Sequence, residues 1–241
     1  MTTPFLDEKT LEYSSSIWPG MVLKRGERHM LLQSPIMLDS LASSIHGGGL
    51  SRLRRVVNIY VDRFYNCDHP EQDIIQSLRE WRYPIDTTAG LLTAVQLQHT
   101  SVLEEQGEHA SIFCCSTAGI SNAARAGAER TTFAAYKPGT INTILAINGR
   151  LTQSAMVNAM ITAVEAKAAA LADLDVRDPD NGRVATGTTT DAIILCVSQN
   201  KDYPVEHHYA GTATDLGAAI GRTVYGTVTE GLLAAWKERK A

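Results

Sequence analysis

The sequence predicts an α/β fold: a single domain with a mixed β-sheet flanked by helices. The runs Ile112 to Cys115 (IFCC), Ile144 to Ile147 (ILAI) and Ala192 to Val197 (AIILCV) are continuously apolar, the composition of strands buried on both faces. Residues 154–174 and 213–239 carry apolar side chains at helical spacing. The 241 residues are 44% hydrophobic and 20% charged, enough length and apolar content for one substantial core.

The domain spans 1–241, and residues before about Ile17 are polar and read as a loosely held N-terminal extension. Met21 to Leu32 alternates around Lys24, Arg25 and Gly26, as in a hairpin turning at Gly26. Ile45 to Leu50 (IHGGGL) leads into a strand at Val56 to Val61. Its three glycines expose backbone N–H groups, but no lysine or helix follows as a phosphate loop requires, so a flexible connection explains them equally well and His46 reads as structural. Pro70 opens an amphipathic helix through Ile74, Ile75, Leu78 and Trp81. Gly90 to Thr100, Ala110 to Ser116 and Gly139 to Asn148 follow as strands. Asn148-Gly149 signals a turn into the helix from about Ser154 to Leu174, whose expected core face is Val157, Met160, Ile161, Val164, Ala168 and Leu171. Asp178 to Gly182 is loop chemistry. In the closing helix Thr212 is the expected N-cap, with Asp215 three residues on in the manner of a capping box, and Leu216, Ile220, Val224, Val228, Leu232 and Trp236 form the buried ridge.

A net charge of -4 and no basic run longer than the Arg52, Arg54, Arg55 cluster argue against nucleic acid as a partner. No apolar N-terminal segment resembles a signal peptide and no run approaches the length of a membrane span, so no membrane contact and a cytoplasmic location are expected. Cys67, Cys114, Cys115 and Cys196 lack metal or redox spacing and read as small core residues. A homo-oligomer is compatible with this composition.

Chemistry concentrates where buried strands run out into polar mouths. Thr186, Thr188, Thr189 and Thr190 surround Gly187, and Asp191 stands at the lip of the 192–197 run. Thr117, Gly119, Ser121 and Asn122 follow the IFCC run, and Thr140 and Asn142 open the 139–148 strand. The first two mouths are at opposite strand ends and meet if those strands are antiparallel neighbours. Asn158, Thr162 and Glu165 form a polar strip beside the helix stripe, either a solvated face or the edge of a cleft. His207 and His208 share a loop, and adjacent histidines chelate poorly, so no metal is assigned. The plain structural alternative is that the threonines bond local backbone and Asp191 caps a turn.

Four blocks, TAGISNAARAG at Thr117 to Gly127, GTINTI at Gly139 to Ile144, MVNAMITAVEAK at Met156 to Lys167 with ATGTTTDA at Ala185 to Ala192, and YAGTATDLGAAIGRTVY at Tyr209 to Tyr225, together resemble the adenosylcobinamide amidohydrolase family of corrinoid salvage enzymes. The likeness runs from about Ile45 to the C-terminus. It implies hydrolysis of the amide joining a corrin propionate side chain to aminopropanol or its phosphate, leaving adenosylcobyric acid; some members also take complete cobamides such as pseudo-cobalamin. The corrinoid is then substrate rather than cofactor, and its site should combine apolar walls with Asn, Thr and backbone donors.

An unactivated amide needs a nucleophile or activated water, donors for the oxyanion and an acid for the leaving amine. Neither H-E-x-x-H nor G-x-S-x-G is present. The expected catalytic groups are Asp191, Glu165 and Thr190: one carboxylate orients water or a threonine hydroxyl, the other protonates the amine, and Thr190 or Thr117 is the alternative direct nucleophile. Thr117, Asn122, Asn142, Asn158, Thr188, Thr189, His208, Thr212 and Asp215 are the expected substrate contacts, the last two at a helix N-terminus suited to an anion or polarised carbonyl. Rival readings are a corrinoid carrier, though the D-x-H-x-x-G of one carrier group is lacking, and a self-processing threonine amidohydrolase or acyltransferase. A purely structural domain is disfavoured, because polar mouths on buried strands are costly unless satisfied.

Overall fold

The computed structural model describes residues 2–130 and 140–240, apart from the side chains of 239 and 240. Gly139, at the head of one expected strand, lies outside the described residues. The elements in order are β1 (Glu12–Ser14), β2 (Val22–Arg25), β3 (His29–Ala42), β4 (Gly49–Tyr60), α1 (Pro70–Glu80), β5 (Thr88–Thr93), β6 (Ser101–Gln106), β7 (Ala110–Ala118), β8 (Ala123–Ala124), β9 (Ile141–Leu151), α2 (Gln153–Asp173), β10 (Gly187–Thr188), β11 (Ala192–Val197), β12 (Glu206–His207) and α3 (Asp215–Lys240). Among the described residues ten strands form one sheet with the path β1-β2-β3-β11-β9-β7-β6, β4 joining β3 to β5 and β12 pairing with β9; β8 and β10 form a separate ribbon. It is a mixed sheet: β9 and β11 run parallel, as do β4 and β5, while β3, β7 and β6 pair antiparallel with their neighbours. The expected α/β domain is the observed one.

The sheet curls. A register shift between Gln33 and Leu38 divides β3, whose first half pairs with β2 and whose last residues pair with β11, β4 following it throughout. Folding about that break brings Asn58 of β4 within 2.8 Å of Thr117 on β7 and 2.9 Å of Asn142 on β9. Side chains alternate accordingly. Ile112, Cys114, Leu145, Ile147, Leu195 and Val197 face α2 and α3, whereas Phe113, Cys115, Ile144, Ala146, Ile194 and Cys196 fill the inside of the curl with Met21, Leu53 and Leu91. Helix α1 covers the outer side of β4 through Ile74 and Leu78.

Several local expectations change. The N-terminal segment is packed rather than loose: Phe5 is fully buried, β1 pairs with β2, and Arg25 donates to the carbonyls of Phe5 and Glu8. Asn148-Gly149 does not turn; β9 runs through it, opposite Ala110 and Ser111, because its neighbours supply the partners that an isolated turn would lack. The N-cap of α3 is Thr214, whose hydroxyl oxygen accepts from Gly217 N at 3.0 Å, and Thr212 lies exposed outside the helix. Helix α2 buries Ala155, Met156, Ala159, Thr162, Ala163, Lys167, Ala170 and Leu171, a face rotated by about 130° from the expected stripe. Val157, Ile161 and Val164 are about half exposed. The helix packs on α3 and the sheet mainly through small residues, with Met156 and Leu171, so Val157, Ile161 and Val164 do not mark its core face. By length and composition α2 also suffices to span a bilayer, with half of its most apolar window buried in the fold. All four cysteines are free; Cys114, Cys115 and Cys196 are buried, as read from the sequence, whereas Cys67 is only partly buried.

Candidate active site

Three polar mouths meet at one end of the sheet because β9 lies between the other two strands. On one side β7 runs antiparallel, setting Thr117 opposite Asn142; on the other β11 runs parallel, setting Ala192 opposite Asn142. The C-terminal end of β7 and the N-terminal ends of β9 and β11 therefore share a rim. The strands of the first two mouths are not neighbours, contrary to the simplest way of joining them; the ribbon β8–β10 makes the direct link, pairing Ala123 with Thr188 and Ala124 with Gly187. The hairpin between β3 and β4 borders the same rim through Ser43, which bonds both N and O of Ile193. In that hairpin Gly47 has φ +70°, and a Cβ there would stand 3.0 Å from Ala89 Cα, which gives one of the three glycines a packing reason.

Strand alternation then separates the rim into two sides. Asp191 falls on the helix side, where the carboxylate is fully engaged: Oδ1 accepts from Ile141 N at 3.1 Å and from the Thr188 hydroxyl, and Oδ2 accepts from Thr188 N at 3.0 Å and from Lys167 Nζ. This ion pair is sequestered, with side chains 8% and 12% exposed for Lys167 and Asp191. Asn142 falls inside the curl, donating to Asn58 Oδ1 and to the Leu92 carbonyl, while Asn58 donates to the Thr117 hydroxyl oxygen. Thr140 joins the two sides, its hydroxyl lying 2.8 Å from the Thr190 carbonyl and 3.2 Å from Asn142 Oδ1. At the lip the Asn122 amide donates to the hydroxyl oxygens of Thr189 at 2.7 Å and Thr190 at 3.2 Å.

A second buried carboxylate ties the flanking loops together. Asp178 accepts from Arg125 N, Asn181 and the Arg130 guanidinium, and Ala126 N donates to the Thr186 hydroxyl oxygen. Burial alone would raise the Asp178 carboxyl; the Arg130 guanidinium and the N–H donors outweigh it and hold it well below the usual carboxylate range.

The expected site residues divide between the two ends of the sheet. Asp191, Thr188, Thr189, Thr190, Asn122, Asn142 and Thr117 come together at the rim, the last two as its buried floor. Glu165 does not join them. It is exposed and points about 160° round α2 from Lys167, the residue that does reach Asp191. Asn158 accepts from Ala210 N and Thr162 donates to Ala210 O, so this part of the polar strip pins the loop before α3. His208 follows β12, which pairs with the far end of β9, and Asp215 lines a cleft of about 310 Å³ with His109, Ala110 and His207 at the start of β7. Both are exposed and stand at the opposite end of the sheet from Asp191, as does Thr212 in the connecting loop, because β7 and β9 carry their polar mouths at one end and this loop meets the other. Residue-level reading passed over Lys167, although it closes one of the four blocks and is the single lysine of an alanine-rich helix. It also passed over Asn58, which nothing in the alternating NIYV segment distinguishes. Among the described residues no group of three or more His, Cys, Asp or Glu is placed to hold a metal ion.

Residues 20–240 match the profile of a family described as adenosylcobinamide amidohydrolase. A protein of that name from Methanosarcina mazei is 34% identical over 192 residues, covering 77% of this chain and 86% of the relative. An uncharacterised protein of Methanocaldococcus jannaschii is 30% identical over 71% of this chain and 72% of its own length. A Halobacterium salinarum protein, also named adenosylcobinamide amidohydrolase, is 29% identical over 71% of each chain.

Proposed function

Since the chain belongs to the adenosylcobinamide amidohydrolase family, a family of amide hydrolases, we propose that it cleaves the amide between a corrin propionate and aminopropanol in adenosylcobinamide, giving adenosylcobyric acid. The observation that carries this reading is the convergence of TAGISN, TINTI and ATGTTTDA on one rim, three segments far apart in the chain. The rim is dense in hydroxyl and amide groups, as a macrocycle fringed with amides requires, and the exposed Ile45 and Leu50 of the neighbouring hairpin offer it an apolar wall. Asp191 is the acid–base group of this site, and the hydroxyls of Thr189 and Thr190, oriented by the Asn122 amide, are its donors to the amide and the oxyanion. The corrinoid is the substrate, and no cofactor or metal enters the reading.

Incubation with adenosylcobinamide tests it directly. An enzyme of this kind releases aminopropanol, whereas a carrier changes only the visible spectrum. Asp191→Asn should reduce turnover by at least about a hundredfold, and an unchanged rate in that variant would remove Asp191 from the chemistry. The same assay run with complete cobamides such as pseudo-cobalamin establishes how wide the substrate range is.

A further inference from the structure

We propose that Thr188 is the nucleophile of this reaction, with Asp191 as its base and Lys167 as the positioning residue that orients Asp191. The proposal rests on the reading above and adds the identity of the attacking group. The Thr188 hydroxyl donates to Asp191 Oδ1, whereas the Thr117 hydroxyl oxygen is buried under Asn58. Lys167 holds the other carboxylate oxygen. A hydroxyl in contact with a base that is itself fixed by a third group is the common arrangement of activated oxygen nucleophiles. The space is reserved for it: a Cβ on Gly187 would fall on Asp191 Oδ2 and stand 2.9 Å from Lys167 Nζ. A buried charge pair is seldom more stabilising than a well-packed apolar one, so its presence on a helix face whose other buried side chains are uncharged calls for a role beyond holding the fold.

In the first step Thr188 Oγ bonds to the amide carbon as its proton passes to Asp191. Collapse of the tetrahedral intermediate expels aminopropanol, whose nitrogen takes that proton from Asp191. Water then attacks the Thr188 ester, giving a proton to Asp191, and the released threonine oxygen recovers it as the corrinoid acid departs.

The test uses the full chain and adenosylcobinamide. With hydroxylamine present, the acyl group on Thr188 is expected to be intercepted as a hydroxamate while aminopropanol is still released; no hydroxamate would overturn the covalent step. Thr188→Val, equal in shape but without the hydroxyl, should fold with a lowered thermal midpoint, since Asp191 Oδ1 and Thr190 N each lose a partner, and should lose at least about a hundredfold in kcat, whereas Thr188→Ser should keep activity and midpoint. Wild-type turnover in the valine variant, or none in the serine variant when it is folded, would count against Thr188. Lys167→Met combined with Asp191→Asn should regain part of the thermal stability that either change alone removes, the rest being lost because the Asn amide meets one of the backbone N–H donors of Ile141 and Thr188, yet stay inactive; recovery of activity as well would reduce the pair to a structural role. If the unaltered chain releases no aminopropanol, the proposed function fails first. If it does and Thr188→Val does too, only the present inference fails.

Discussion

Lys167 is the residue on which the rim balances. Its ammonium and the Asp191 carboxylate are both withdrawn from water, so each is tolerable only while the other is present. Lys167→Met alone should cost about 3–5 kcal/mol, read as a lower denaturant midpoint at unchanged slope, because it leaves a carboxylate buried without its counter-ion. Glu165→Gln, on the solvent side of the same helix, should leave both stability and turnover near those of the parent chain; a large loss would bring Glu165 back to the site. His29 gives the chain a pH signature unrelated to the rim. It is stacked on Trp81 at 3.8 Å with Nε2 against the Tyr83 hydroxyl, and burial lowers its pKa from 6.5 to about 4. Between pH 6.5 and 4 the unfolded chain therefore takes up a proton that the folded chain refuses. The stability contributed is complete above 6.5 and falls across that window as the solution is acidified; His29→Phe should flatten this part of the stability profile.

At the scale of elements, the face that α2 buries is the point most open to test. Large aliphatic side chains at positions 157, 161 and 164 look like a core stripe, but the helix approaches its neighbours through alanines, and the aliphatic stripe faces outward. Ile161→Lys should change stability by no more than about 0.5 kcal/mol, whereas Ala163→Leu should cost about 1–3 kcal/mol by overpacking. The reverse order would restore the stripe to the core. The start of α3 offers a second contrast. Thr214→Ala removes the acceptor of the Gly217 N–H and should cost about 1 kcal/mol, while Thr212→Ala, outside the helix, should cost almost nothing. Thermal or denaturant midpoints of the two variants decide between the two caps.

On the scale of the whole molecule, the curl of the sheet turns strand ends into a site. Asn58, Asn142 and Thr117 come from three strands and hold the curl shut over the rim floor, so Asn58→Ala should cost about 1–3 kcal/mol by leaving buried polar groups unmatched, and should weaken turnover although Asn58 lies beneath the rim. Apolar runs, periodicity and block wording are local properties of the chain, and they carry the central strands β7, β9 and β11, the two long helices, the family and the polar mouths; they do not carry β6 or the second half of β3, and the strand expected over Gly90 to Thr100 ends at Thr93. The sequence also singled out Asp191 and Asn122, which stand where a buried strand meets hydroxyl-rich chain. That β9 intervenes between β7 and β11, that His208 and Asp215 belong to the far end, and that Lys167 rather than Glu165 meets Asp191 follow from the assembled fold alone. Strand order, helix rotation and the sharing of a buried charge depend on contacts between residues distant in sequence, and no local pattern of side chains encodes which of two faces or two ends will be the one enclosed.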